Sequence, residues 1–199
     1  MKFSQREIKE LFVAWLMISV AFAILFSGSA LFSLDFVFII AFALSALTVG
    51  ISFLFHELMH KYMAQKYGLW AEFRAFYPGL WLALIGSFFG FIFAAPGAVV
   101  SKSYRPLSRE KRGKISLAGP LTNIVLALLF LPGFLFIKGD GNILALFFQY
   151  GLTINGLLAA FNLIPVRPFD GKEVYDWNKS VYFIALLVAI SLFISTFIL

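Results

Sequence analysis

The chain has 199 residues, 61% of them hydrophobic and 13% charged, with a mean hydropathy of +0.92. That balance excludes a water-soluble globule, whose surface needs far more charge, and leaves an all-α polytopic membrane protein. The net charge of +6 falls in the gaps between apolar runs, where anionic lipid headgroups rather than nucleic acid would meet it, and the absence of cysteine excludes disulfides and thiolate metal ligands. No linker, low-complexity tract or internal repeat interrupts the chain, so residues 1–199 are expected to form a single transmembrane domain.

A first span is expected at Leu11 to Phe32, preceded by Lys2, Arg6 and Lys9 and lacking a small-residue cleavage site. After a Ser33-Leu34-Asp35 turn, a second span starts at Phe36 and continues as a helix to Gln65, with Gly68 as its stop. Near its end lie the only two histidines of the chain, in His56-Glu57-Leu58-Met59-His60. On a helix, i and i+4 share a face, so both imidazoles can hold one zinc ion while Glu57, beside that face, serves as general base for a water.

Leu80 to Ala95 is a short apolar run of roughly 16 residues with Gly86 and Gly90 inside it. Pro96 to Tyr104 carries strand-forming residues between turn signals and could offer an edge to an extended peptide. Further spans follow at Ile115–Ile137, Ile143–Ile164 and Val181–Leu199. The expected fold therefore has about five transmembrane helices, or six if Leu80–Ala95 crosses, plus a re-entrant or short β segment between the second and third spans. Charge favours five. With the short run returning to its own side, fifteen of the sixteen basic residues share one face, leaving Lys138 opposite. That face, with the N-terminus and the histidine motif, is expected to be cytoplasmic, in a multi-pass protein of the cell membrane.

A dihistidine site needs at least one more ligand. Among the ten acidic residues, Glu7, Glu10, Asp35, Glu72, Glu110 and Asp140 read as solvated or interfacial charges. Asp170 follows Pro165 and Pro168 and precedes Gly171, so it can turn back toward the apolar region; Glu173 and Asp176 are its competitors. Gly119-Pro120 opens the third span and permits close backbone approach, and Asn123 projects an amide that acts either as interhelical glue or as a donor to a reacting carbonyl. Gln149 and Asn155 are read as glue.

Together, His56 to His60, Gly119-Pro120-Leu121-Thr122-Asn123, and Asn162 to Gly171 with its Asn-x-x-Pro and Asp-Gly ends resemble the three signatures of the site-2 protease family of intramembrane zinc metalloproteases, in family order. Phe169 stands where leucine is familiar, and the PDZ and CBS domains of many relatives are absent, as in a minimal prokaryotic or archaeal member. The resemblance implies one zinc per chain held by His56, His60 and Asp170, Glu57 as base, and Asn123 binding the substrate carbonyl or the tetrahedral intermediate. It further implies cleavage within or near transmembrane segments of membrane-protein substrates, as in regulated intramembrane proteolysis. The competing expectation is a catalytically silent membrane scaffold or chaperone that retains the fold.

Overall fold

The computed structural model of the chain describes residues 1–28, 36–92, 96–103, 106–137, 139 and 141–198. The Ser33-Leu34-Asp35 turn, Lys138, Asp140 and the expected segment ends at Phe32, Ala95, Tyr104 and Leu199 lie outside the described residues. Among the described residues, five helices are long and apolar enough to cross a bilayer: α1 (Gln5–Ser27), α2 (Phe36–Lys66), α4 (Arg109–Ile137), α5 (Ile143–Asn162) and α7 (Lys179–Ile198). Each has at least 20 residues, or about 30 Å of rise. Helix α1 starts at Gln5, not Leu11, because the Ser4 side chain accepts from the Glu7 amide at 3.2 Å and caps the first turn.

Between α2 and α4 come strand β1 (Trp70–Ala75), helix α3 (Tyr77–Phe88) and strand β2 (Gly97–Lys102). Pro78 in its first turn moves the start of α3 ahead of the expected Leu80, and the helix has only 12 residues. Its length of about 18 Å cannot cross the hydrocarbon core. The five-helix count and the short β segment expected from the sequence both hold. The two strands pair with each other. A Cβ on Gly97 would meet Ala75, while the Lys102 ammonium sits over the Trp70 ring, so the strands run antiparallel.

The described residues divide into two compact units, one of residues 2–54 and 72–100, the other of residues 55–71 and 101–199 with Met1. In the first, α1 packs on the opening half of α2 at a π-helical turn, Ala46–Gly50. Trp15 Nε1 donates to the Ala46 carbonyl at 3.2 Å, one of the groups such a turn releases. Gly50 is required there, since a Cβ would meet the Trp15 ring and the Ser19 hydroxyl at 2.6 Å.

Two acids of this unit depart from expectation. Glu7 and Glu10 are 0% and 5% exposed, and each receives a backbone N–H of β1: Phe73 donates to Glu7 Oε1 at 2.8 Å and Ala75 to Glu10 Oε2 at 3.0 Å. Arg6 Nε also donates to Glu10 Oε1 at 2.7 Å. They are structural clamps rather than solvated charges, because a strand edge laid beside a helix offers amides that must be satisfied.

The second unit is built on α4, α5 and α7, whose core includes Ile124, Phe134, Leu152, Leu163, Ala189 and Leu192. Small residues set the spacing. Gly133 receives the Phe148 ring, Gly151 the Phe130 ring, and Gly156 the backbone of Phe193. Lipid supplies no hydrophobic drive between helices, so close packing of this kind holds them together.

Candidate metal centre

All the polar groups of the candidate site belong to the second unit. His56, Glu57 and His60 lie on the last three turns of α2, buried to 5%, 8% and 8% exposure. Their spacing puts both rings on one face, with centroids 4.7 Å apart, and sets Glu57 at its margin.

Asp170 arrives from the far end of the sequence through the irregular segment after α5. Val166 donates its N–H to the Ile164 carbonyl at 2.9 Å and Phe169 to the Val166 carbonyl at 3.0 Å, folding the Pro165-to-Pro168 stretch on itself, with a cis bond before Pro168. Gly171 passes so close to Leu163 and Ile164 that a Cβ would run into their carbonyl oxygens. Helix α6 (Gly171–Trp177) then starts with Asp170 as its cap residue, but the carboxylate does not cap it. It turns to the histidines instead, Oδ2 lying 3.1 Å from His60 Nε2 and 3.4 Å from His56 Nε2.

Helix α6 is fixed on α4 by Trp177, which packs where Gly113 has no side chain, and by Arg112 Nε donating to Glu173 Oε2 at 2.9 Å. Arg167 also lies 3.7 Å from Glu173, and Lys172 donates to Asp176 at 2.6 Å. Both rival acids are thus engaged with cations, and the cluster of potential ligands among the described residues comprises His56, His60 and Asp170.

The outer ring nitrogens are engaged too. His60 Nδ1 lies 2.8 Å from the Ile115 carbonyl, and His56 Nδ1 lies 2.6 Å from Asn123 Oδ1. A carbonyl only accepts, so His60 carries its proton on Nδ1. With both rings neutral and His56 protonated likewise, two Nε2 lone pairs face one another at 3.0 Å beside a carboxylate oxygen, an arrangement that a metal ion between them satisfies.

The separations of 3.0, 3.1 and 3.4 Å suit three corners of a tetrahedron around an ion about 2 Å from each donor, the bond length of zinc to imidazole nitrogen and carboxylate oxygen. Nitrogen and oxygen donors with one corner left open are the donor set of a catalytic zinc. Gly119 completes the cradle: a Cβ there would collide with His60 Nε2 and lie 2.6 Å from His56 Nε2.

Residues 44–147, just over half of the chain, match the model of peptidase family M50. The chain belongs to peptidase family M50. This is the site-2 protease family that its three motifs resemble. The chain is 44% identical over 183 residues to the Methanocaldococcus jannaschii protein named "Putative zinc metalloprotease MJ0611", covering 91% of this chain and 89% of that relative. It is 28% identical over 149 residues to the Bacillus subtilis "Putative zinc metalloprotease YwhC", covering 65% of this chain and 66% of that protein. A further M. jannaschii protein, "Zinc metalloprotease MJ0392", is 30% identical over 124 residues, 62% of this chain and 31% of its own length. No solved structure matches significantly.

Asn123, expected by resemblance at the substrate carbonyl, is 0% exposed, and its amide donates to Asn155 Oδ1 at 2.9 Å. Asn155, read from the sequence as glue, is also fully buried and donates to the Gly151 carbonyl at 2.8 Å. Its position in mid-span was the available signal; its place behind the histidines depends on the register of α4 against α5.

Proposed function

We propose that this M50 zinc metalloprotease cuts peptide bonds within or near transmembrane segments of other membrane proteins, as a step of regulated intramembrane proteolysis. The observation that carries the reading is the convergence of two imidazole nitrogens and a carboxylate oxygen, 3.0 to 3.4 Å apart, on an intramembrane helix that also bears Glu57. His56, His60 and Asp170 hold one zinc per chain. Bound there, zinc supplies a Lewis acid that polarises a carbonyl and makes water nucleophilic near neutral pH. Glu57 takes the proton of the attacking water as oxygen adds to the scissile carbon, and returns it to the amide nitrogen as the carbon–nitrogen bond breaks.

A helical substrate hides its carbonyls in i to i−4 bonds, so it must unwind locally before attack. We assign β2 as the strand along which the unwound segment pairs, since β1 already commits two amides to Glu7 and Glu10. Residues 1–199 act as one transmembrane metalloprotease domain, a reading supported by a family match that runs across both compact units. The protein resides in the cell membrane with its N-terminus and catalytic face cytoplasmic, on the strength of the basic-residue bias. Cysteines placed at Ser108 and Asp140 of this cysteine-free chain should label from opposite sides, and labelling from the same side would overturn the five-span topology.

The test of the chemistry is cleavage of single-span substrates in liposomes by wild type and Glu57→Gln, with zinc measured in both. Glu57→Gln should retain about one zinc and lose hydrolysis. Equal activity in the two would refute the mechanism, and inactivity of both on every substrate would favour the scaffold.

A further inference from the structure

Three amide and imidazole groups behind the zinc ligands form one directed chain. Gly151 on α5 offers a backbone carbonyl, which can only accept; Asn155 Nδ2 donates to it at 2.8 Å. That fixes which end of the Asn155 amide is which, and turns Oδ1 toward Asn123, whose Nδ2 donates at 2.9 Å. The Asn123 carbonyl oxygen is then left for His56, 2.6 Å from Nδ1. Both asparagines are 0% exposed, so no bulk water competes for these positions.

We propose that Asn155 is a positioning residue for zinc binding: through Asn123 it forces the His56 proton onto Nδ1 and leaves the Nε2 lone pair aimed at the metal position. The inference rests on the ligand assignment above and deepens it. His60 needs no such relay, because the Ile115 carbonyl takes its Nδ1 proton directly. The two ligands of one motif are thus held by different means, one by backbone and one by a side-chain relay ending on the backbone of another helix. Outer partners of metal-bound histidines set ring tautomer and orientation, and losing one typically costs 10-fold to 100-fold in metal affinity. The same relay occupies one of the two N–H groups of the Asn123 amide.

With two histidines in the chain, labelling with 15N-histidine gives two imidazole spin systems. The full-length protein in micelles is compared zinc-loaded and chelator-treated, the latter at a pH where both rings are neutral. Wild type should show both rings protonated on Nδ1. Asn155→Leu should move the His56 proton toward Nε2, leave His60 unchanged, and weaken zinc binding about tenfold or more in a chelator competition. An unchanged His56 tautomer with unchanged affinity would overturn the proposal.

If Asn155→Leu does not fold, as the His60 signals would reveal, Asn155→Asp decides. Its neutral acid supplies one donor for Gly151 and one acceptor for Asn123, so it should keep the Nδ1 proton and bind zinc within about threefold of wild type. A His56 shift in that folded variant would refute the relay. Failure of wild type to bind zinc would sink the ligand assignment alone, since the tautomers are read without metal.

Discussion

The buried carboxylates of the two units do opposite work. Glu7 and Glu10 are more deeply buried than Asp170, whose side chain is 19% exposed, yet each accepts from a β1 amide, and Glu10 from Arg6 as well. Asp170 instead turns its carboxylate to two imidazole Nε2 atoms, 3.1 and 3.4 Å away, on rings whose Nδ1 atoms are engaged on their far sides. Burial alone therefore does not mark a site in an apolar chain. What marks it is convergence of three metal-ligating atoms, all within 4.8 Å of one another, which together make the donor set of a zinc site.

The sharpest way to break this contrast is to remove one acceptor. His56→Ala, His60→Ala or Asp170→Ala should each strip most of the zinc and abolish cleavage, because two protein ligands do not make a stable site. Full zinc in Asp170→Ala, measured by metal analysis of the purified protein, would reassign the third ligand.

Next in size is Gly119→Ala, which adds a single methyl group. A Cβ there overlaps the space of both Nε2 atoms, so α4 must shift or the rings must turn. Zinc affinity and cleavage should fall by about tenfold or more, as when the support of a ligand is lost. Wild-type affinity in this variant would show that the cradle is looser than the distances imply.

The clamp should respond differently. Glu7→Gln leaves one charge-assisted hydrogen bond weakened on a buried strand amide, a loss of about 1–3 kcal/mol in stability with no loss of zinc. Thermal unfolding alongside metal analysis separates the two effects. A Glu7→Gln protein of normal stability that had lost zinc would contradict the division of labour between the units.

These outcomes bear on what sequence could and could not convey. The histidine motif is local: i and i+4 on one helix meet whatever the rest of the chain does. The spans were legible for the same reason, as hydrophobic length maps directly on bilayer thickness. Asp170 lies over a hundred residues from His60, and before the family resemblance nothing distinguished it from Glu173 and Asp176. Their difference is tertiary, set by Gly171 turning tightly on Leu163 and by Trp177 seating against Gly113. Glu7 and Glu10 were misread because an acid near the start of a span looks interfacial, and no local signal announces a strand laid beside it. Asn155 is interhelical glue as expected, bonding α5 to α4, but the continuation of its bond to His56 on α2 depends on the register of three helices, which no local signal carries.

The smallest expected effect concerns the rival acids. Glu173 sits 2.9 Å from Arg112 and 3.7 Å from Arg167, and Asp176 2.6 Å from Lys172, which holds the Asp176 carboxyl below its usual range. The Arg112 and Glu173 side chains are 41% and 25% exposed, so their bridge is worth about 0.2–1 kcal/mol. Glu173→Gln loosens one tie of α6 to α4, but Trp177 against Gly113 and the turn at Gly171 still place Asp170. Zinc content should stay near one per chain and cleavage should fall no more than about fivefold, the limit such a weak bridge can impose. Asp176→Asn, which loses an exposed pair with Lys172 on its own helix, should change less still. Loss of zinc in either variant would mean that the acids of α6 reach the metal, and that proximity to the two Nε2 atoms had been mistaken for ligation.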